Sequence, residues 1–441
     1  MSKTFRPWHV DEVWLFPASV QDFVPARHAA HFVRETVRGE LDLGRIFAAY
    51  GEERGYPPYH PGMMVALLLY GYSRGVYSSR QLERGCEERV DFMAVTGMSR
   101  PDFRTIAEFR RRHLAALGDL FVQVLRLCRE AGLVRLGHVA LDGTKLKANA
   151  SKHKAMSYAR MGAAEAKLTA EVKSWFARAA AADAAADRAD GGERGDELPE
   201  WVADKQTRLA RLQAARAALE AEAEAPPPED DGPGPSTGMM DHGKPKRAAD
   251  GGPPPAAQRN FTDPDSRIQP TRDGMIQGYN AQLAVDGANQ IILAHRLQTN
   301  PADRGALVPL VAAIARSLGA KPREVSADAG YCDEANLAFL AERHIAAYLA
   351  PGRARHGEGD PAGRRRTRPG SRVAAMAGKL RRAGRRSRYR LRKQIVEPVF
   401  GQIKAARGFR QFLLRGLNKV SGEWAMICTA HNLLKLAKAA A

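Results

Sequence analysis

Three acidic residues sit where a carboxylate could do chemistry: Asp142, Asp328 and Glu397. Asp142 follows the run His138-Val139-Ala140-Leu141 and precedes Gly143-Thr144-Lys145, which predicts a strand, His138 to Asp142, running into a polar turn. Asp328 ends a second such run, Val325-Ser326-Ala327, ahead of Ala329-Gly330-Tyr331. Carboxyl ends of strands are where open α/β sheets form their sites, and a following glycine lets a backbone approach closely. Taken singly, an Asp in such a place more often just opens a turn.

Glu397 is a helical case. At about 100° per residue, Lys393 lies about 40° and Lys404 about 20° from it on one side, with Tyr389 within about 80°. Val396, Val399, Phe400 and Ile403 form a neighbouring apolar stripe suited to packing on a sheet. One helix could thus dock while aiming a carboxylate and its cations at a phosphate. Alone, Lys393 and Glu397 would read as an i,i+4 pair on a solvated face.

Taken together the three acids suit phosphodiester chemistry. Two divalent ions about 3.5–4 Å apart can activate a water or a 3′-hydroxyl and stabilise the leaving oxygen. Hard carboxylate oxygens favour Mg²⁺, with Mn²⁺ as an alternative. The four cysteines, Cys86, Cys128, Cys332 and Cys428, form no CxxC pair, so neither a zinc site nor a disulfide framework is expected. They suit a reducing compartment.

The elements that must position these acids divide the chain. Residues 1–135 read as helical. A helix follows Pro61 through Met63 to Tyr70, another spans Ser79 to Arg89, and a longer one runs from Asp102 to about Leu125. The last carries Arg104, Arg110, Arg111, Arg112 and His113 on its second face, which suits a helix-turn-helix type reader of DNA or an ordinary bundle with a solvated basic face. Residues 136–154 and 258–441 read as a second domain. In it a hairpin joins Tyr279 to Val285 with Ile291 to Gln298, a helix spans about 303–318, and a strand spans Glu324 to Asp328. A helix at about 333–344, a strand Ala346 to Ala350, and helices at about 388–408 and 420–438 come after. That order predicts an α/β fold: an RNase H-like mixed sheet with flanking helices.

Between the two parts of this domain, 155–257 reads as an insert. It is helical to about 224, with a Gly-rich break at 191–195 and a flexible linker from Pro226. The stretch Arg353–Lys393 holds 16 Lys/Arg against two acids and reads as an exposed loop. The net charge of +19 points to a polyanionic partner. Met1 to Val20 lack the apolar core of a signal peptide, and no run of 18 apolar residues suggests a membrane span.

These residues resemble a known family. Asp142-Gly143-Thr144-Lys145-Leu146-Lys147-Ala148-Asn149-Ala150-Ser151 resembles the first-aspartate block of bacterial insertion-sequence DDE transposases, in particular the group numbered eleven eighty-two. Gln277-Gly278-Tyr279-Asn280-Ala281-Gln282 and Asp328-Ala329-Gly330-Tyr331 look like its next blocks. Tyr389, Arg392, Glu397 and Lys404 resemble the Tyr-Arg-Glu-Lys signature, and Tyr59-His60-Pro61, Gly71 to Gly75 and Pro101 to Ile106 are similar to the family's DNA-binding region.

The resemblance implies cleavage at transposon ends and attack of 3′-hydroxyls on target DNA. Asp142, Asp328 and Glu397 would be the catalytic metal ligands. Arg392 and Lys404 would contact phosphates, with Tyr389 packed beside the DNA. Lys145, Lys393 and, from the basic helix face, Arg110, Arg111 and Arg112 are expected as further DNA contacts apart from the resemblance. It also implies double-stranded DNA as partner, a homodimer on the DNA, and a cytoplasmic, nucleoid-associated protein. Two features depart from the pattern. Four residues, not three, separate Arg392 from Glu397, with Lys393 at the usual cation position, and the long insert precedes the hairpin. Three other readings stay open: a transposase-derived DNA-binding regulator without catalysis, an RNase H-like nuclease without strand transfer, and a scaffold built on the insert helices.

Overall fold

The structure is a computed structural model that describes residues 19–51, 57–186, 200–224, 252–271, 273–352 and 368–440. It divides into two compact units, with boundaries at Val124/Leu125 and Cys428/Thr429. The break expected at 191–195 and most of the 226–257 linker lie outside the described residues, as do 353–367.

The first unit is helical: α1 (Ala29–Gly39), α2 (Gly44–Phe47), α3 (Pro61–Ser73), α4 (Ser79–Glu88), α5 (Val90–Thr96), α6 (Phe103–Arg112) and the start of α7 (Leu114–Glu130). Pro61 opens α3, where its missing N–H costs nothing, and the helix is buried on every side, as its apolar run predicts. The single long helix expected from Asp102 is two, separated at His113, whose backbone leaves the helical region (φ −105°, ψ 14°). Asp102 starts α6 by accepting from the N–H groups of Arg104 and Thr105.

The basic second face of that helix is only partly exposed. Ile106, Phe109, Arg110 and His113 recur at i, i+3, i+4 and i+7 and all four are buried. Arg110 donates through Nη1 to Tyr72 Oη (3.2 Å) and Tyr77 O (2.8 Å) and through Nη2 to Ser79 Oγ (3.1 Å). Arg110 is therefore a tie inside the helical unit, not a contact for DNA. Arg104, Arg111 and Arg112 remain exposed.

The second unit carries a six-stranded mixed sheet. Its strands are β1 (His138–Lys147), β4 (Arg267–Thr271), β5 (Gly274–Asp286), β6 (Ile292–Gln298), β7 (Glu324–Ala327) and β8 (Ala346–Leu349), while β2 (Ala155–Ser157) and β3 (Gln258–Asn260) pair separately. The order is β4-β5-β1-β7-β8, with β6 also on β5. β1 is antiparallel to β5 and parallel to β7, and β7 is parallel to β8. Val139, Ala140 and Leu141 are fully buried, as befits a strand covered on both faces. The mixed sheet with its helices fits the RNase H-like class.

The strand at Asp142 does not turn there. β1 continues to Lys147 against β5, with Asp142 opposite Leu283 and Gly143 opposite Gln282. Gly143 serves a close approach, not a turn: a Cβ there would stand 2.2 Å from Gln282 Nε2 and 2.8 Å from Asp303 Oδ1.

The insert is built from α8 (Tyr158–Ala186) and α9 (Glu200–Glu224), which share an apolar seam of Met161, Leu168, Leu212, Ala215 and Leu219. The β2–β3 pair closes its base. After β6 come α10 (Leu307–Leu318) and, following β7, α11 (Glu334–Glu342). The stretch expected as an exposed loop to Lys393 instead holds α12 (Arg372–Ala383), whose N-cap Ser371 accepts from Ala374 N at 3.1 Å. Val373, Met376, Ala377 and Leu380 form its buried stripe, hidden in the sequence by the density of arginines. The chain ends with α13 (Leu391–Gly401), a π turn (Gln402–Ala406) and α14 (Leu417–Ala440).

Candidate active site

Two parallel strands set the first pair of acids side by side. Ala140 of β1 is in register with Ser326 of β7. Asp142 and Asp328 each lie two residues further along their strands, so they are level and on one face. Asp142 Oδ1 accepts from the N–H of Gly143 (2.9 Å). Asp328 sits just past β7 and caps a short 3-10 turn, Ala329–Tyr331, by accepting from Gly330 N at 2.9 Å.

α13 supplies the third acid. Val396, Val399, Phe400 and Ile403, the stripe read from the sequence, are buried, and Ile395 is buried with them. Glu397 projects from the other side, its side chain about half exposed. Arg392 links the acids: Nη1 lies 2.7 Å from Asp142 Oδ2 and Nη2 lies 3.7 Å from Glu397 Oε1. Its guanidinium is 5.9 Å from the Tyr389 ring centroid. Lys393, one residue on, is exposed. Of the two cations Arg392 and Lys393, Arg392 is thus the one turned towards the acids. Tyr389 is not on the helix but in a 3-10 turn, Arg388–Arg390, capped by Ser387.

Lys404 reaches the site through the π turn. Its Nζ donates to Thr144 Oγ1 (3.0 Å) and Lys145 O (3.4 Å). A π turn widens the helix by one residue and rotates the residues after it, a device common at functional sites. Lys145 donates to Pro301 O (2.6 Å) and lies 3.5 Å from Asp303 Oδ1. Burial draws both lysines below the usual amine range, with Asp303 pulling Lys145 back up.

The electrostatics centre on Asp142. Burial pushes its carboxyl up to about 7, Arg392 draws it down, and Asp328 and then Asp303 push it up again. The buried Tyr331 hydroxyl is raised for the same reasons, burial first, and donates to Gln282 Oε1.

Asp303 carries no clear mark in the sequence. It lies after β6, in Asn300-Pro301-Ala302-Asp303, where a turn-forming Asp is unremarkable. Its one sequence signal is indirect: Gly143 and Gly330 both lack a side chain where Asp303 approaches.

Among the described residues, no group of three or more His, Cys, Asp or Glu side chains is close enough to hold a metal ion as it stands. The donor chemistry nevertheless fits a hard divalent cation. Asp142 is largely buried, and its carboxyl is raised first by that burial and further by Asp328 and Asp303, against the pull of Arg392, so added positive charge there would be stabilising. The residues that would hold such an ion are Asp142, Asp328 and Glu397.

Arg111 pairs with Glu108 (Nε to Oε2, 2.8 Å) on the surface, and Arg112 donates to Ala49 O and lies over the Tyr50 ring. No described helix is long and apolar enough to cross a membrane.

Two family comparisons match the chain. Residues 18–112 match the family described as Transposase domain (DUF772), and residues 257–433 match the Transposase DDE domain. The second segment contains Asp328 and Glu397, and Asp142 lies between the two. No curated protein and no solved structure matches. The two domain matches, in this order along the chain, support a DDE-type transposase, and the mixed sheet with its flanking helices fits one.

Proposed function

We propose that the protein cleaves DNA at the ends of an insertion sequence and joins the 3′-hydroxyls to target DNA, with Asp142, Asp328 and Glu397 as its catalytic carboxylates. The observation that carries this reading is the placement of Asp142 on β1 beside Asp328, just past the end of the parallel strand β7, with Glu397 tied to Asp142 through Arg392. The three carboxylates would hold Mg²⁺ or Mn²⁺, which when bound supplies the charge that activates an attacking oxygen and stabilises the leaving one.

The chain's own groups do the rest. Arg392 and Lys404 border the carboxylates and would receive the phosphates of the cleaved end, Arg392 in the planar two-donor manner suited to phosphate. Tyr389 packs beside Arg392 and limits its freedom. Lys145 and Lys393 would add DNA contacts from the catalytic unit, and Arg111 and Arg112 from the helical unit. Two ends must be handled together, so the DNA complex is a homodimer. The setting is the cytoplasm, at the nucleoid.

The test is an end-joining assay with labelled duplexes carrying the element's ends and a plasmid target. Joined products in Mg²⁺ are expected. Cleavage without joining would reduce the protein to a nuclease, and binding without cleavage would make it a regulator.

A further inference from the structure

We infer that Asp303 is a fourth functional carboxylate of this centre, a further divalent-cation ligand beside Asp328; the inference rests on the transposase reading above. Asp303 follows β6 and its side chain is 22% exposed. Its Oδ1 accepts from Asn280 Nδ2 (2.8 Å) and Gln282 Nε2 (2.7 Å) and faces Lys145 Nζ at 3.5 Å.

Both amides are fully buried on β5, and Gln282 is held in turn by the Tyr331 hydroxyl. The two immobilised neutral amides fix the orientation of this oxygen, and the Lys145 ammonium offsets part of its charge from the same side. The other oxygen, Oδ2, is left to the gap beside Asp328. A Cβ on Gly330 would stand 3.1 Å from Asp303 Oδ2 and 3.1 Å from Asp328 Oδ1, so the two oxygens border one small space.

A purely structural duty accounts for less. The residue that caps α10 is Ala306, with no side-chain cap, and the backbone of Asp303, not its carboxylate, takes the N–H of Ala306 (3.2 Å). The partners of the Asp303 side chain are thus Asn280 and Gln282 of β5, the strand paired with β1, and Lys145 of β1 itself.

The test uses the full-length protein and Mn²⁺ alone, with binding read from the loss of the free-ion electron paramagnetic resonance signal. Asp303→Asn keeps an oxygen for Asn280 and Gln282 and removes only the charge. It is expected to weaken Mn²⁺ binding about tenfold or more, as does Asp142→Asn. Unchanged binding in Asp303→Asn beside weakened binding in Asp142→Asn would overturn the role of Asp303 and leave the centre standing. A wild-type protein that takes up no Mn²⁺ would overturn both.

Unaltered protein gives a second readout that no folding defect can confuse. Fe²⁺ in the Mg²⁺ site, with ascorbate and peroxide, generates radicals that cut the backbone near its ligands. Cuts around residue 303 as well as 142 and 328 are expected, and cuts at 142 and 328 alone would exclude Asp303.

Discussion

Arg392 stands between two carboxylates of the site, 2.7 Å from Asp142 and 3.7 Å from Glu397, while Lys393 beside it points to solvent. The pair with Asp142 is well buried, so removing one partner leaves a charge without its counterpart. Arg392→Ala is expected to cost about 1–3 kcal/mol of stability. Lys393→Ala should be near neutral. Chemical unfolding of both variants checks this, and equal costs would contradict the assignment of Arg392 as the inward cation.

Gly143 touches the site through what it lacks. A methyl group there would meet Gln282 and Asp303, whose amide and carboxylate are mutually bonded. Gly143→Ala is therefore expected to reduce DNA cleavage at least tenfold by displacing them, with the protein still folded. Cleavage at the wild-type rate would show that the contact relaxes at no functional cost.

Arg110 and Arg111 are neighbours with opposite duties. Arg110→Ala strands the hydroxyls of Tyr72 and Ser79 and should destabilise the helical unit by about 2–3 kcal/mol. Arg111→Ala should leave stability unchanged and lower both DNA affinity and the steepness of its salt dependence. Thermal melting and binding at several salt concentrations separate the two, and a salt-independent affinity would contradict phosphate contact.

His138 makes stability depend on pH. Its imidazole is buried between Glu324 (2.9 Å) and Ser326 (2.9 Å), and burial holds its pKa below the ordinary 6.5. The unfolded chain then binds the proton more readily than the folded one, so stability is present above about 6.5 and is lost as pH falls towards the lower folded value. His28 and His113 are shifted in the same direction, mainly by burial, and add to the slope. Unfolding free energies between about pH 7.5 and 5 should fall with acidity, less steeply in His138→Gln.

Much of this site is legible from local pattern. Apolar runs ending in Asp mark β1 and β7, and the 3.6-residue stripe marks α13 well enough to name Glu397. What local pattern cannot carry is the partner strand. β5 holds β1 in extended form for five residues beyond Asp142, where Gly143 alone suggests a turn. Arg110 misleads when residue type is weighed above position: its spacing from Ile106 and Phe109 puts it inside. Asp303 escapes notice since its meaning comes from Asn280, Gln282 and Lys145, all distant in the chain.

Mg²⁺-dependent nicking of end-containing duplex by Asp142→Ala, Asp328→Ala and Glu397→Ala, alongside a binding measurement on the same duplex, decides whether the three acids act together on DNA. Each variant should lose cleavage by about a hundredfold or more and still bind the DNA. Cleavage retained by any one of them, Asp142→Ala above all, would contradict the assignment.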